Sequence, residues 1–276
     1  MYQSVLVTGA SSGIGEACAL HLAHKGFRVY AAARRVELLR NLEGLAGGRI
    51  TSVALDVTDQ ASIKNALTRI NDDGASLFGL VNNAGMIVMG PVETTPVDEW
   101  KRQYETNVFG LVQMIQAVLP GMRAAGKGRI VNIGSVAGRV ASPFQGAYAS
   151  SKHAVEGVSD SLRREVAPFG IQVSLVRPGF INTAFGEHGK TSLEPHTHAD
   201  EPYAEHAKTF MEWRAKGHPN APGPMIVAEA VHDALTANKP RAYYAAPPKT
   251  YAALAMRKFL PARLTDHIMA RVMGGN

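Results

Sequence analysis

Near its start the chain reads Ser4-Val5-Leu6-Val7-Thr8-Gly9-Ala10-Ser11-Ser12-Gly13-Ile14-Gly15, and Glu16–Lys25 follows with helical character. An apolar strand thus runs straight into a glycine-rich turn and then a helix. Glycine lets the backbone turn tightly and approach a ligand closely, and the N–H groups and dipole of a helix N-terminus favour negative charge. The stretch reads as a cradle for a pyrophosphate, the chemistry of a dinucleotide site. A plain turn is the other reading, and the strand before it and helix after it argue against that.

Outward from this turn, the same alternation continues. Strand-like runs are Ser4–Val7, Arg28–Ala33, Ile50–Ala54, Leu77–Val81, Arg129–Ile133 and Gln172–Leu175. Segments of helical length lie between them, as in Ser62, Ile63, Ala66, Leu67 and Ile70, whose spacing makes one stripe. Strict alternation implies βαβ units with right-handed crossovers, hence an α/β fold with a doubly wound parallel sheet of the Rossmann type. Ligands of such sheets sit beyond the carboxyl ends of the strands. After Pro178-Gly179 a polar stretch from about Ala184 to Pro224 holds one helix-like piece, Ala204–Lys216, and reads as a substrate lid. Helical pattern resumes at Val227–Asn238, and a strand-like Tyr243–Ala246 follows. One domain over 1–246, lid included, and a C-terminal helical extension over 247–276 are expected.

Composition sets limits. The 276 residues are 46% hydrophobic and 19% charged, which suits a globular protein with a sizeable core. The net charge of +6 is uneven: segments 1–190, 191–238 and 239–276 carry 19 basic against 15 acidic, 3 against 7, and 7 against 1. No run of Lys and Arg interleaved with aromatics marks the body, so nucleic acid is not expected as a partner. Cys18 is the single cysteine, which excludes an intrachain disulfide and a cysteine-built zinc site; it falls on the apolar side of the first helix and reads as a buried, inert thiol. His188, His196 and His198 lack further ligands at suitable spacing, so no metal is expected. Neither a signal peptide nor a long apolar span is visible, and a cytoplasmic protein is expected.

In the extension, Tyr251, Ala252, Ala255, Met256, Phe259 and Leu260 share one helical face, and Leu264, Ile268 and Val272 repeat the pattern after Pro261. Lys249, Arg257, Lys258, Arg263 and Arg271 accompany them. Three roles stay open for this face: cover for the chain's own substrate pocket, contact with a partner subunit, or attachment to an anionic membrane surface.

The spacing Gly9-x3-Gly13-x-Gly15 differs from the general dinucleotide fingerprint and resembles the short-chain dehydrogenases/reductases of the classical type. The resemblance spans roughly residues 3–183 and rests on further motifs. Asp56-Val57 follows the third strand, where the family contacts adenine; on chemistry alone Asp56 is equally a helix cap. Asn82-Asn83-Ala84-Gly85 follows the fourth strand, as the family's cofactor-lining motif does. Pro178-Gly179-Phe180-Ile181-Asn182-Thr183 resembles the motif whose later Thr contacts the nicotinamide carboxamide. The resemblance implies cofactor contacts at Gly9, Ser11, Ser12, Gly13, Ile14, Gly15, Asp56, Val57, Asn83, Ala84, Gly85, Tyr148, Lys152, Pro178, Gly179, Ile181 and Thr183.

Ala33-Arg34-Arg35 occupies the end of the second strand, where a carboxylate would favour NAD(H). A guanidinium holds a phosphate bidentately, so Arg34, with Ser11 as second donor, points to NADP(H) over NAD(H). Tyr148 and Lys152 stand at i and i+4 of a helix, one face and one turn apart. A free phenol has pKa ~10, and a neighbouring cation favours its ionised form, which makes Tyr148 usable as acid and base. Ser135 precedes the tyrosine by 148 − 135 = 13 residues, the family's separation, and its hydroxyl is suited to bind a carbonyl oxygen. Asn107 matches the family's fourth catalytic residue, which holds a water linking the lysine to solvent.

These expectations amount to hydride transfer between NADP(H) and a carbonyl or alcohol. Phe185, Tyr203, Phe210, Met211, Trp213, Met225 and Met256 suggest an apolar substrate, and the pattern resembles hydroxysteroid- and retinol-dehydrogenase-like members. Two other readings are a ketoreductase of β-ketoacyl thioesters and a non-catalytic NADP(H)-binding sensor; a sensor would be expected to lose Tyr148 or Lys152. A homodimer or homotetramer through helices around Trp100–Val118 and Tyr148–Pro168 is expected by resemblance.

Overall fold

The computed structural model describes residues 3–217 and 220–272, except the side chains of Arg257 and Val272. Seven strands, β1 (Ser4–Thr8), β2 (Arg28–Ala33), β3 (Ile50–Ala54), β4 (Leu77–Asn82), β5 (Gly128–Ile133), β6 (Ile171–Pro178) and β7 (Tyr243–Ala246), form one parallel sheet. Their order is β3-β2-β1-β4-β5-β6-β7. The order reverses between β1 and β4, and a crevice opens at the carboxyl ends there.

Alternation along each strand explains the two layers. Val5 and Val7 face one side with Val29, Ala31 and Ala33, packing on α1 (Gly13–His24), α2 (Arg40–Leu45) and, far along the chain, the helix Met225–Thr236. Leu6, Tyr30 and Ala32 face the other, under α3 (Gln60–Asp72) and two longer helices, Gly110–Ala124 and Gly146–Val166. Both faces are covered, which is why these strands read as nearly continuous apolar runs. Cys18 is fully buried in the first layer, and burial pushes its thiol up to about 12, so it stays protonated and inert.

On the second face, α4 (Val97–Tyr104) passes through a π-helical turn, Glu105–Phe109, into α5 (Gly110–Ala124), and α6 (Gly146–Val166) lies beside it. The long polar stretch is more ordered than expected. It forms α7 (Ala184–Leu193), a short 3-10 turn, Glu194–Thr197, and α8 (Ala204–Gly217), before α9 (Met225–Thr236) closes the first layer. Gly186 and Gly189 read as breakers in α7, yet a Cβ on Gly189 would stand 2.7 Å from Met89 Sδ. That glycine permits close helix packing, and the burial of Leu193 offsets its poor propensity.

The extension forms α10 (Thr250–Phe259) and α11 (Ala262–Val272). It packs against β7 and the turn Val136–Gly138, and the Tyr251 hydroxyl accepts from Ala245 N at 3.3 Å. Tyr251, Phe259 and Leu264 remain exposed. No helix among the described residues is long and apolar enough to cross a membrane.

Candidate active site

Loops leaving β1 to β6 converge at the carboxyl edge and, with α7 and α8, enclose a cavity of about 770 Å³. This is the size of a cofactor or ligand site. It collects residues that the sequence keeps up to 214 − 9 = 205 positions apart, from Gly9 to Arg214.

At the end next to β1, Gly9, Ser11, Ser12, Gly13 and Ile14 line the wall. Gly9 has φ +66°, and a Cβ there would stand 2.8 Å from Ala84 Cα. Gly15 does not line the cavity; its absent Cβ would lie 2.2 Å from the Gly9 carbonyl oxygen, so its part is to let the helix close on the loop. Ser12 caps α1 in extended backbone without a side-chain bond, which leaves first-turn N–H groups for a ligand. A Cβ-free cradle at an uncapped helix start fits a pyrophosphate.

Asn83 locks this loop to the next. Its Nδ2 donates to the Thr8 and Gly9 carbonyls at 3.0 and 3.1 Å, while Thr8 Oγ1 accepts from Asn83 N and Ala84 N, each at 3.0 Å. Ala84 and Gly85 continue the wall, as do Val57 and Asp56. Asp56 Oδ1 accepts from Thr58 N and Thr58 Oγ1, at 2.9 and 2.8 Å; the cap of α3 is Asp59 instead. Arg34 is exposed at the cavity rim, and Arg35 is not part of it.

Ser135, Tyr148 and Lys152 meet at the other end, all buried. Ser135 caps the turn Val136–Gly138, its Oγ accepting from Ala137 N at 3.1 Å, and lines the cavity together with the Tyr148 phenol. Burial raises that phenol above its ordinary value, while the Ser135 hydroxyl and the charge of Arg214 pull it down. Lys152 Nζ donates to the Ile133 carbonyl at 2.8 Å and lies 5.9 Å from the Tyr148 ring centroid. The shared face expected from i, i+4 is present; its cation is tied to strand β5. Pro178, Gly179, Ile181 and Thr183 complete this side.

Burial lowers the Lys152 amine from 10.5 to about 8. The unfolded chain therefore binds this proton up to 10.5 and the folded one only to about 8, so stability rises with pH between those values. Below pH 8 the cost is complete. Lys152→Met, without cofactor, is expected to be about 2 kcal/mol more stable at pH 7, after allowance for the lost bond to Ile133, and the gain should vanish at pH ~9.5. Urea unfolding at both pH values checks it.

Asn107 lies in the π-helical turn and does not line the cavity. Its Oδ1 accepts from Met86 N at 2.8 Å, and its Nδ2 donates to the Met86 carbonyl and to Ser151 Oγ at 3.0 and 3.2 Å. It thereby ties the loop after β4 to α6, next to Tyr148 and Lys152. π-turns are rare and often mark functional sites.

The proposed apolar set needs correction. Only Phe185 and Trp213 line the cavity. Phe210 is buried behind the wall with Met211 against it, because α8 turns these toward Phe144 and Leu193. Tyr203 faces out, donating to Glu93 Oε2 at 2.5 Å. Met225 is exposed at the start of α9, and Met256 belongs to α10, which contributes nothing to the lining. Cover for the pocket therefore comes from α7 and α8 among the described residues, and the extension does not supply it. His188, His196 and His198 form no group of three metal-ligating side chains there.

Three residues escaped the sequence reading. Thr8 gains its role only from the β4 loop, and Gln103 holds the Met86 carbonyl and Val88 N through its amide, at 2.6 and 2.7 Å. Arg214 lines the lid side of the cavity. Its one signal is an Arg four residues after Phe210 and next to Trp213.

The sequence model of the short chain dehydrogenase family matches residues 3–192. The chain belongs to that family. It is therefore an oxidoreductase of the short-chain type. Among its relatives, the NADPH-dependent 3-dehydrocapnine reductase of Ornithobacterium rhinotracheale is 34% identical over 271 residues, covering 95% of this chain and 94% of the relative. Retinol dehydrogenase 5 of Homo sapiens is 35% identical over 287 residues, covering 98% and 88%. A solved structure described as the closed form of serine dehydrogenase complexed with NADP+ superposes with a TM-score of 0.77 at 31% identity, covering 90% of this chain and 96% of that one.

Proposed function

We propose that this short-chain dehydrogenase is an NADP(H)-dependent enzyme that interconverts a carbonyl and an alcohol on a small, largely lipophilic molecule, with Tyr148 as acid and base. The carrying observation is one cavity that places a glycine cradle and Arg34 at one end and Ser135, Tyr148 and Lys152 at the other. Relatives named as an NADPH-dependent reductase and a retinol dehydrogenase support the cofactor and the lipophilic substrate.

Bound NADPH supplies a hydride to the carbonyl carbon. The chain does the rest. Ser135 Oγ donates to the carbonyl oxygen, fixing it where negative charge develops. Tyr148 gives that oxygen its phenolic proton, and in the reverse direction takes it back. Lys152, held by Ile133, stands beside the phenol and the ribose position, and Asn107 keeps the loop after β4 and helix α6 in register. Phe185 and Trp213 screen the reacting end from water.

Arg34 carries the choice of cofactor through the 2′-phosphate. Charge-assisted hydrogen bonds contribute ~1.5–3 kcal/mol, so Arg34→Leu is expected to lower kcat/KM for NADPH about 10- to 100-fold and to leave NADH within about threefold. Steady-state kinetics with both cofactors test this. An equal loss for both would remove the phosphate role.

A further inference from the structure

Arg214 is the one cation on the lid side of the cavity, and none of the ion pairs or hydrogen bonds among the described residues includes it. The other cavity cations are accounted for: Lys101 pairs with Asp98, Arg102 with Glu99, Lys152 donates to Ile133, and Arg34 stands at the opposite end. The Arg214 guanidinium carbon lies 5.5 Å from the Phe180 ring centroid and 5.9 Å from that of Phe210. Those rings are themselves braced by Trp213, at 5.4 and 5.6 Å. Aromatic faces hold and orient the cation without neutralising it. It lines the same cavity as Ser135 and Tyr148, and its charge acts on the Tyr148 phenol.

We propose that Arg214 is a specificity residue that binds an anionic group, a carboxylate, sulfonate or phosphate, carried by the substrate close to its carbonyl or alcohol. A partly buried cation with no acidic partner is costly to keep, and an arriving anion relieves that cost. A guanidinium matches such groups bidentately. Burial holds Arg214 below its ordinary range, consistent with a charge awaiting a partner. The cofactor's phosphates are the other source of negative charge. The glycine cradle, the α1 N-terminus and Arg34 already face that need from the far side of the cavity. With Phe185 and Trp213 alongside, the inferred substrate is amphiphilic, an apolar chain with an acidic head near the reacting carbon. This deepens the proposed function and rests on it for the reacting group alone.

The test has a binding arm and a turnover arm. Calorimetry of the NADP+ complex with octanoate, octane sulfonate, methyl octanoate and octanamide reads the anion site without hydride transfer. Turnover of 2-oxooctanoate, 4-oxooctanoate and 5-oxooctanoate against their methyl esters reads it in the reaction. The wild type is expected to bind at least one anion 10-fold or more tightly than its neutral counterpart, and to favour a free acid over its ester by a similar factor in kcat/KM. Arg214→Gln should remove the preference, Arg214→Lys should keep much of it, and both should bind NADP+ within threefold of wild type. Equal binding of acids and neutral compounds would overturn the proposal, as would loss of NADP+ affinity in Arg214→Gln, which would assign the cation to the cofactor. An anion preference without any turnover would uphold the Arg214 site while contradicting the reductase reading.

Discussion

Tyr148→Phe is expected to lower reductase turnover about 10²- to 10⁴-fold while NADPH affinity changes less than about threefold. The substitution removes one oxygen from a buried ring packed at 5.8 Å from Phe185, so the hydrophobic contacts around Ile87, Met89 and Ala149 persist. What disappears is the proton donor of the proposed reaction, a phenol that Ser135 and the charge of Arg214 make easier to ionise. The loss should fall on kcat and kcat/KM together, because the proton moves only as the carbonyl oxygen gains charge. Burial of the phenol above its ordinary value also fixes the sign of the pH dependence: Tyr148 remains protonated, hence able to donate, across neutral pH. Alcohol oxidation, which needs the ionised form, should rise toward alkaline pH. Pre-steady-state and steady-state kinetics of the two proteins check both statements. Unchanged turnover in the variant would take the acid away from Tyr148.

Glu156→Gln is expected to destabilise the fold by about 3–5 kcal/mol, read by urea unfolding. Glu156 lies two turns beyond Tyr148 and one beyond Lys152 on the same face of α6. It accepts from Arg177 Nε and Nη2 at 2.7 and 2.6 Å, a two-pronged pair buried at 5% and 8% exposure. The Arg177 guanidinium also stacks 3.9 Å over the Tyr243 ring, and Tyr243 donates to Asp160 on α6. The pair therefore clamps the helix carrying Tyr148 and Lys152 to β6, whose end supplies Pro178 and Gly179 to the cavity. Removing the carboxylate charge strands a buried guanidinium, and that accounts for the size of the effect. A double change to Glu156→Met with Arg177→Met strands no charge and is expected to be much milder. If the single variant unfolds at the same urea concentration as wild type, the clamp contributes nothing.

The fold was legible because its strands are short apolar runs, those other than β2 and β3 ended by glycine, asparagine or proline, and because the loops after β1, β4 and β6 carried distinctive motifs. Strand positions agree to within about three residues, the largest difference being at β6, where pairing with β7 draws Arg177 and Pro178 into the sheet. The site residues were legible to the extent that they sit in those motifs. Asn107 was legible only through its match to the family, and the π-turn that accommodates it is a tertiary feature which local pattern does not show. α7 was hidden by Gly186, Gly189 and Thr191, whose low helix propensity is overridden by packing on Ile87 and Met89. The direction of Phe210 and the isolation of Arg214 depend on how α8 meets Phe180 and Phe144, contacts between segments 30 or more residues apart that no periodicity encodes. The same reason explains the extension. Its apolar face was clear in the sequence, while its packing against β7 and the turn Val136–Gly138, without lining the cavity itself, is decided by three-dimensional contacts.

The proposed function requires that this chain move a hydride from NADPH to a carbonyl carbon. Incubation of the purified protein with NADPH deuterated at nicotinamide C4, against a panel of ketones, aldehydes, oxo acids and a β-ketoacyl thioester, tests it most directly by mass spectrometry of the products. The expected product is an alcohol carrying one deuterium at the former carbonyl carbon, formed at least tenfold faster with NADPH than with NADH. Tight NADPH binding with no deuterium transferred to any compound, or faster transfer from NADH, would contradict it.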